Sequence, residues 1–178
     1  MTAAPAKVRL ATVWLDGCSG CHMSLLDTDE RLIELARRVQ IVWGPLVDGK
    51  EFPENVDVTL VEGAISSDED LHRIRLIRSR TKILVSLGDC SVTGNVPAMR
   101  NRFGVDAVLR RAYLENAALE PQIPREIIPT LLPTARPVHE VAAVDVFVPG
   151  CPPSADLIFA VLSDLIEGRT PVVAAKFG

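Results

Sequence analysis

The sequence predicts an α/β protein built on a doubly wound parallel sheet. Two observations lead to this class. Short segments rich in β-branched residues alternate along the chain with amphipathic segments of helical period, and five of the former occur in 178 residues. Hydrophobic residues make up 48% of the sequence, which is enough for a substantial core. We therefore expect a single domain over residues 1–178.

The first half of the chain contributes three strands and one helix. The segments "VRLATVWL" (8–15), "VQIVWGPL" (39–46) and "VDVTLVEGAI" (56–65) are strand-like because they are rich in β-branched residues. The segment "SLLDTDERLIELARR" (24–38) has apolar residues at helical spacing and ends in arginines, which suit the negative end of a helix dipole. These four elements begin a strand–helix–strand alternation.

The next helix is predicted over "SSDEDLHRIRLIRSR" (66–80). It opens with a capping-box pattern from Ser66 to Glu69, and its acidic residues precede its basic ones. The segments "TKILVSLGDC" (81–90) and "VDVFVPGC" (144–151) are the fourth and fifth predicted strands.

The last element is a helix over "SADLIFAVLSDLIEG" (154–168), with Ser154 as its N-cap and Gly168 as its C-cap. Five strands in this arrangement favour the flavodoxin-like sheet, whose strand order is 2-1-3-4-5.

One stretch, residues 94–142, interrupts the alternation between strands 4 and 5. It contains "EPQIPREIIPTLLPTARPVHE", with five prolines among several aliphatic residues. Proline at this density excludes a long helix or a central strand, so we expect an irregular insertion. It is either a plain surface excursion or a partner contact made through its exposed Ile and Leu side chains.

Four cysteines follow the ends of predicted strands. Cys18 and Cys21 come after strand 1, Cys90 ends strand 4, and Cys151 follows strand 5. The carboxyl ends of parallel strands open at one rim, and strands 1, 3, 4 and 5 are neighbours in the predicted order. We therefore expect the four thiols to converge on one crevice.

Three kinds of site are open for this group of thiols. A [4Fe–4S] cluster and a zinc ion both accept four thiolates, whereas a thioredoxin-like dithiol uses only the CxxC pair. Structural zinc usually takes two close CxxC pairs, and lone cysteines on separate loops are more typical of clusters. The dithiol leaves Cys90 and Cys151 without a role. The pattern favours an iron–sulfur cluster.

A carboxylate, Glu62, ends strand 3 between the loops that carry the cysteines. A negative charge beside an anionic cluster is unfavourable, which indicates a purpose such as proton transfer or the ordering of a main-chain amide. Simple solvation at the rim is the alternative. His22 directly follows Cys21 and is expected to support the site or an interface.

Composition and motifs narrow the function classes. The net charge is −4 and no basic run occurs, so we expect no nucleic-acid partner. No apolar stretch is long enough for a membrane span, and no secretory signal is present, so we expect a cytoplasmic protein. Neither of the glycine-rich nucleotide-binding motifs, G-x-G-x-x-G and G-x-x-x-x-G-K-[ST], occurs in the sequence.

Taken in order, four motifs resemble the small subunit of [NiFe] hydrogenases. They are "CSGCH" (18–22), "VEGAI" (61–65), "GDCSVTG" (88–94) and "PGCPPSAD" (149–156). The resemblance covers residues 8 to 168. It implies that the ligands of a proximal [4Fe–4S] cluster are Cys18, Cys21, Cys90 and Cys151. It also implies a large partner subunit that holds the nickel–iron centre, so that this chain alone does not split H₂.

Within that family the chain is most similar to the short, soluble, bidirectional NAD-reducing kind, since no cysteine follows Cys151 and no twin-arginine signal precedes the first strand. This similarity implies that electrons pass to the iron–sulfur and flavin subunits of a diaphorase that reduces NAD⁺. FMN is left open as a further cofactor, although no phosphate-binding loop supports it. The related alternative is the 20-kDa subunit of NADH–quinone oxidoreductase. That family typically has adjacent cysteines where this chain has CxxC, which favours hydrogenase.

Overall fold

The computed structural model describes residues 6–174 and 177. The strands, in chain order, are β1 (Val8–Trp14), β2 (Val39–Trp43), β3 (Val56–Glu62), β4 (Ile65–Ser67), β5 (Thr81–Leu87), β6 (Leu131–Arg136) and β7 (Val146–Val148). The α-helices are α1 (Gly20–Leu26), α2 (Arg31–Arg38), α3 (Asp68–Arg80), α4 (Asp89–Thr93), α5 (Asn95–Ala98), α6 (Val105–Arg110) and α7 (Ala155–Ile166). Tighter or wider helical turns cover Met99–Arg102, Arg111–Glu115 and Val138–Glu140.

Five strands form one parallel sheet in the order β2-β1-β3-β5-β7. These are the five strands predicted from the sequence, and their order confirms the predicted 2-1-3-4-5 arrangement. The register aligns the carboxyl ends: Trp14 pairs with Glu62, Glu62 with Leu87, and Leu87 with Val148. The loops that follow these four strands therefore leave the sheet at one level.

The core lies on both faces of the sheet. β3, at its centre, is buried along most of its length, as expected for a parallel strand covered on both sides. One face packs against α1, α2 and α7, and the other packs against α3. Each large aliphatic side chain buried here contributes about 1.5–3 kcal/mol to folding. The sheet is thus a rigid base for its loops.

The first helix differs from the prediction, because α1 and α2 replace the single helix expected over 24–38. α1 begins earlier, at Gly20, so that Cys21 lies on it. It ends where Thr28 donates both its hydroxyl, at 2.7 Å, and its main-chain N–H, at 3.3 Å, to the carbonyl of Leu25. Asp29 then adopts φ +51° and turns the chain before α2.

The third predicted strand was too long. β3 ends at Glu62 because Gly63 turns the chain at φ +95°, where an added Cβ would lie 2.8 Å from the carbonyl carbon of Leu15. Residues Ile65–Ser67 then form β4, which pairs antiparallel with β6 in a separate two-stranded sheet.

The capping box of α3 was predicted one residue too early. Ser67, not Ser66, caps the helix by accepting from the N–H of Asp70 at 3.1 Å, and Asp70 accepts in return from the N–H of Ser67 at 3.0 Å. The hydroxyl of Ser66 donates instead to the carboxylate of Asp16. In α7 the predicted N-cap is confirmed, since Ser154 accepts from the N–H of Leu157.

The stretch 94–142 is more regular than expected. It begins with α5 and α6 and their adjoining turns, runs without helix or strand through residues 117–130, and then forms β6. β6 tolerates Pro133 because its sheet has only two strands, so that one side of each strand needs no ladder partner. In the part of the chain that the structure describes, no helix is both long and apolar enough to cross a membrane.

Candidate metal centre

The loop after β1 carries the CxxC pair. Ser19 adopts φ +67°, and α1 starts at the next residue, so Cys18 lies just before the helix and Cys21 within its first turn. Cys18 is exposed, and its Sγ accepts from the N–H of Gly20 at 3.4 Å. Cys21 is buried. The pair therefore presents one outer and one inner thiol to the rim of the sheet.

Cys90 and Cys151 come from two loops that are bonded to each other. The N–H of Gly88 donates to the carbonyl of Val148 at 2.8 Å, and the N–H of Asp89 donates to the carbonyl of Gly150 at 2.9 Å. The carboxylate of Asp89 accepts in turn from the N–H of Gly150 at 2.7 Å. These bonds extend the β5–β7 ladder beyond the strands, up to the residue before each cysteine.

Gly88 lies between the thiol of Cys21 and the segment that carries Cys90. A Cβ added at this position would lie 2.2 Å from the Sγ of Cys21, and the backbone has φ +82°. Only glycine accommodates both conditions. The thiol of Cys21 therefore packs directly on the backbone that leads to Cys90.

The ionisation of the inner thiols reflects their burial and the charges around them. Burial raises the pKa of Cys21, and the charges of Glu62 and of the other three cysteines raise it further. Burial also raises the pKa of Cys90, as does Cys151, while a hydrogen bond from the main chain of Val96 opposes the rise. The charges that act on Cys21 and Cys90 thus come from residues at the same rim of the sheet.

Glu62 is not solvated at the rim, since it is only 1% exposed. Its Oε2 accepts from the main-chain N–H of His22 at 3.0 Å and lies 2.5 Å from Nδ1 of the same residue. A contact of this length needs a proton between the two atoms, so Nδ1–H donates to the carboxylate. Glu62 therefore fixes the backbone directly after Cys21, which is the amide-ordering role considered above.

Three further residues support the site, and sequence reasoning had not singled them out. Besides Asp89, the amide of Asn95 donates to the Sγ of Cys151 at 3.6 Å. The hydroxyl of Ser24, on α1, donates to the carbonyl of Pro153 at 2.5 Å and so ties the CxxC helix to the loop of Cys151. Their contacts span 56 and 129 residues of chain, so no short motif could have revealed them.

The residues present fit an iron–sulfur cluster. Four free cysteine thiols on three loops form the ligand set that such clusters use. Gly20 and Gly88 lack the side chains that would otherwise press on Sγ atoms of the site. Among the described residues, no three His, Cys, Asp or Glu side chains are placed as a group that could hold a metal ion.

A cavity of about 620 Å³ lies elsewhere, beside the ends of β1 and β2. Trp14, Trp43 and Phe52 line it together with Arg73 and Arg80, and none of the four cysteines does. The thiols instead occupy the open rim of the sheet.

Comparison with protein families matches residues 18–165 to the family described as "NADH ubiquinone oxidoreductase, 20 Kd subunit". Among curated proteins, "NAD-reducing hydrogenase HoxS subunit delta" of Cupriavidus necator is 42% identical over 168 residues, which cover 92% of this chain and 80% of that protein. A subunit of the F420-non-reducing hydrogenase of Methanocaldococcus jannaschii is 36% identical, over 95% of this chain but only 59% of its own length.

Solved structures give the same picture. A chain in the crystal structure of an NAD⁺-reducing [NiFe]-hydrogenase in the H₂-reduced state superposes with a TM-score of 0.93 at 37% identity, over 97% of this chain and 100% of that one. A chain of the [NiFeSe]-hydrogenase of Dm. baculatum superposes with a TM-score of 0.60 at 20% identity, over 95% of this chain and 68% of that one. The second match extends the likeness of fold to a more distant enzyme.

Proposed function

Because the chain belongs to the family of the NADH ubiquinone oxidoreductase 20 Kd subunit and, within it, to the small subunits of NAD-reducing [NiFe] hydrogenase, we propose that it relays electrons in such an enzyme. The observation that carries the proposal is the position of four free thiols on the segments that follow β1, β5 and β7, whose carboxyl ends lie at one rim of the sheet. The family description matches the alternative weighed from the sequence, while the hydrogenase subunits among the relatives favour the hydrogenase assignment.

In this proposal Cys18, Cys21, Cys90 and Cys151 hold one [4Fe–4S] cluster. When bound, such a cluster takes up and gives away single electrons at a potential set by its surroundings. The chain supplies those surroundings: the N–H of Gly20 and the amide of Asn95 donate to ligand sulfurs. Hydrogen bonds of this kind stabilise negative charge on the sulfur and raise the reduction potential.

In this proposal Glu62 is a proton-transfer residue. Its carboxylate shares a hydrogen bond with Nδ1 of His22 at 2.5 Å, a distance over which a proton can move. Its burial shields that proton from bulk water. The proposal assigns the same carboxylate the ordering of the His22 amide.

The partners in the proposal are a large subunit that holds the nickel–iron centre and the iron–sulfur and flavin subunits of a diaphorase that reduces NAD⁺. The names of the relative in Cupriavidus necator and of the superposed crystal structure support this assembly. We place it in the cytoplasm. FMN on this chain is not part of the proposal, because the loop after β1, where a flavodoxin-like protein binds the flavin phosphate, carries Cys18 and Cys21 instead.

The stretch 94–142 is the proposed contact with the large subunit. Val96, Met99 and Phe103 lie at helical spacing along it, and each is more than half exposed. Asn95, which precedes this row, contacts the Sγ of Cys151, so the row adjoins the thiols. A Phe103→Ser variant should therefore retain less of the large subunit during purification, while Leu46→Ser, at an exposed site on another loop, should retain all of it.

The test of the proposed function is anaerobic purification of the chain with its partners, followed by iron, sulfide and zinc analysis and by EPR of the reduced sample. In the complex of this chain with the large subunit, freed of the diaphorase subunits, about four sulfides and about four irons beyond that of the nickel–iron centre are expected, with nickel in the larger subunit. One zinc without sulfide would instead establish a zinc-stabilised interaction module. A metal-free chain that cycles between dithiol and disulfide at Cys18 and Cys21 would establish a dithiol oxidoreductase.

A further inference from the structure

We propose that Asp89 is a positioning residue that sets the spacing between Cys90 and Cys151 for the cluster, an inference that rests on the proposed function. Asp89 is 4% exposed, so its carboxylate is held inside the rim. It lies one residue before Cys90, and its partner Gly150 lies one residue before Cys151. A bond between these two neighbours fixes both ligands at once.

The bonds between Asp89 and Gly150 lie just beyond the last paired residues of β5 and β7. The β5–β7 ladder ends at the pair Leu87–Val148. Beyond it, Asp89 contacts both polar groups of Gly150: its N–H donates to the carbonyl at 2.9 Å, and its Oδ1 accepts from the N–H at 2.7 Å. Two bonds to one residue fix the direction of the loop as well as its distance.

The loop that carries Cys151 has no side chain at residue 150 that could fix its position. Gly150 adopts φ +137°, and a Cβ added there would lie 2.7 Å from Pro153. Residue 150 must therefore be a glycine and has no side chain with which to anchor the loop. β7, from which the loop leaves, is a three-residue edge strand. The loop is therefore held from outside: Ser24 binds the carbonyl of Pro153 after Cys151, and Asp89 binds Gly150 directly before it.

A second buried polar residue beside Cys90 offers a matched control. Ser91 is fully buried, and its hydroxyl shares a 2.7 Å hydrogen bond with the hydroxyl of Ser86 on β5. Ser91 thus flanks Cys90 on the other side, and this bond stays within β5 and α4. Ser91→Ala removes a buried hydrogen bond next to the same cysteine without touching the bonds between Asp89 and Gly150.

Charge and position can also be separated at Asp89. Asp89→Asn keeps an Oδ1 that accepts from the N–H of Gly150 but removes the negative charge. Removing a negative charge near a cluster favours its reduced form, so the midpoint potential should rise. Asp89→Ala removes both the acceptor and the charge.

The experiment compares the wild type, D89A, D89N and S91A, each purified anaerobically with the large subunit and freed of the diaphorase subunits, by iron and sulfide content and by EPR redox titration. In D89A the iron and sulfide content of this chain should fall by a factor of about three or more. Residues that orient metal ligands typically contribute about 10- to 100-fold to the affinity for the metal. S91A should keep its cluster, and D89N should recover most of the loss and titrate at a more positive potential. Circular dichroism of each purified complex checks that the fold is retained.

The inference is overturned if D89A keeps as much cluster as S91A, or if D89N is as empty as D89A. A wild-type chain that contains no iron is a different result, since it would overturn the proposed function itself.

Discussion

The two rims of the sheet use carboxylates in different ways. At the carboxyl rim, where β1, β3, β5 and β7 end, buried Glu62 and Asp89 accept from main-chain N–H groups of neighbouring loops. At the amino rim, where the strands begin, Asp57 and Asp145 also accept from main-chain N–H groups, and each is partly exposed and binds a cationic side chain. The carboxylates of the two rims thus make similar bonds to the main chain and differ in their burial.

The contacts of Asp57 show what the amino rim does. Its carboxylate accepts from the N–H of Arg9 on β1 at 2.8 Å and from the ammonium of Lys82 on β5 at 2.6 Å. It therefore connects three adjacent strands. Burial would raise the pKa of Asp57, but the hydrogen bonds and charges of Lys82 and Arg9 outweigh it and lower that pKa.

The difference indicates a division of labour. A charge that is partly exposed and paired with a cation aligns strands at little cost. A buried carboxylate is expensive to maintain unless its hydrogen bonds are complete. At the carboxyl rim such buried carboxylates lie beside the thiols. Changes there should therefore affect the proposed metal centre most, whereas changes at the amino rim should affect only the stability of the fold.

The largest effect is expected from the cysteines. Cys21→Ser, on the CxxC helix, and Cys151→Ser, on a distant loop, should each lower the cluster content and the H₂-dependent reduction of NAD⁺ by about 100-fold or more, because every ligand is needed to hold the cluster. Iron analysis and an activity assay on the purified complex measure both quantities. Activity that survives Cys151→Ser but not Cys21→Ser would contradict the four-ligand account and favour the dithiol.

Gly88→Ala should have the next largest effect, and the chain contains a matched control for it. Gly88 (φ 82°, ψ 159°) and Gly104 (φ 78°, ψ 161°) have nearly the same backbone conformation, but only Gly88 faces the thiol of Cys21, whereas nothing lies within 4 Å of a Cβ added at Gly104. Gly104→Ala should cost about 1–2 kcal/mol of unfolding free energy from backbone strain. Gly88→Ala should cost about 1–3 kcal/mol more from overlap.

Urea unfolding of the metal-free full chain measures both costs. Equal losses in the two variants would show that Cys21 does not pack against residue 88 as described, and the link between the two pairs of cysteines would fail.

Glu62→Gln should change the chemistry of one thiol more than the stability of the fold. The charge of Glu62 helps to raise the pKa of Cys21, so removing that charge should lower the pKa towards its ordinary value of 9.0. In a metal-free chain whose only cysteine is Cys21, the variant should form the thiolate at lower pH and react faster with iodoacetamide near pH 9. Glu54→Gln, which alters a carboxylate paired with Arg80, is the control and should leave the rate unchanged. A rate that rises equally in both variants would refute the assignment.

The smallest effect is expected from Asp57→Asn at the amino rim. The pKa of Asp57 is lowered on folding, so its contribution is present above the unfolded pKa of 3.8 and is lost as pH falls through the folded pKa. At pH 7 the variant should lose about 0.5–1 kcal/mol of unfolding free energy. The difference from the wild type should vanish in acid, and iron content should stay the same. A loss of iron would break the division between the rims.

The sequence predicted the carboxyl rim better than the amino rim, for physical reasons. Cysteines are rare, and their positions after strands place them at one rim as soon as the strand order is inferred. The order followed from the alternation of elements and is confirmed by the pairing of β1 with both β2 and β3. Glu62 was singled out for the same reason, since it ends the strand between the cysteine loops.

The remaining features depend on contacts that no local pattern encodes. Asp89 and Gly150 are 61 residues apart, and an aspartate before a cysteine has no distinctive spacing of its own. Asp57 is the second residue of β3, and its two partners come from other strands. The break between α1 and α2 arises from a side-chain hydrogen bond of Thr28, which competes with a helical pattern that continues past it.

Anomalous diffraction at the iron edge, from crystals of the anaerobically purified complex, tests the central claim most directly. The account predicts one group of four iron positions on this chain, within bonding distance of the Sγ atoms of Cys18, Cys21, Cys90 and Cys151. An anomalous signal at the zinc edge alone, or iron on this chain that is bound by other residues, would contradict it.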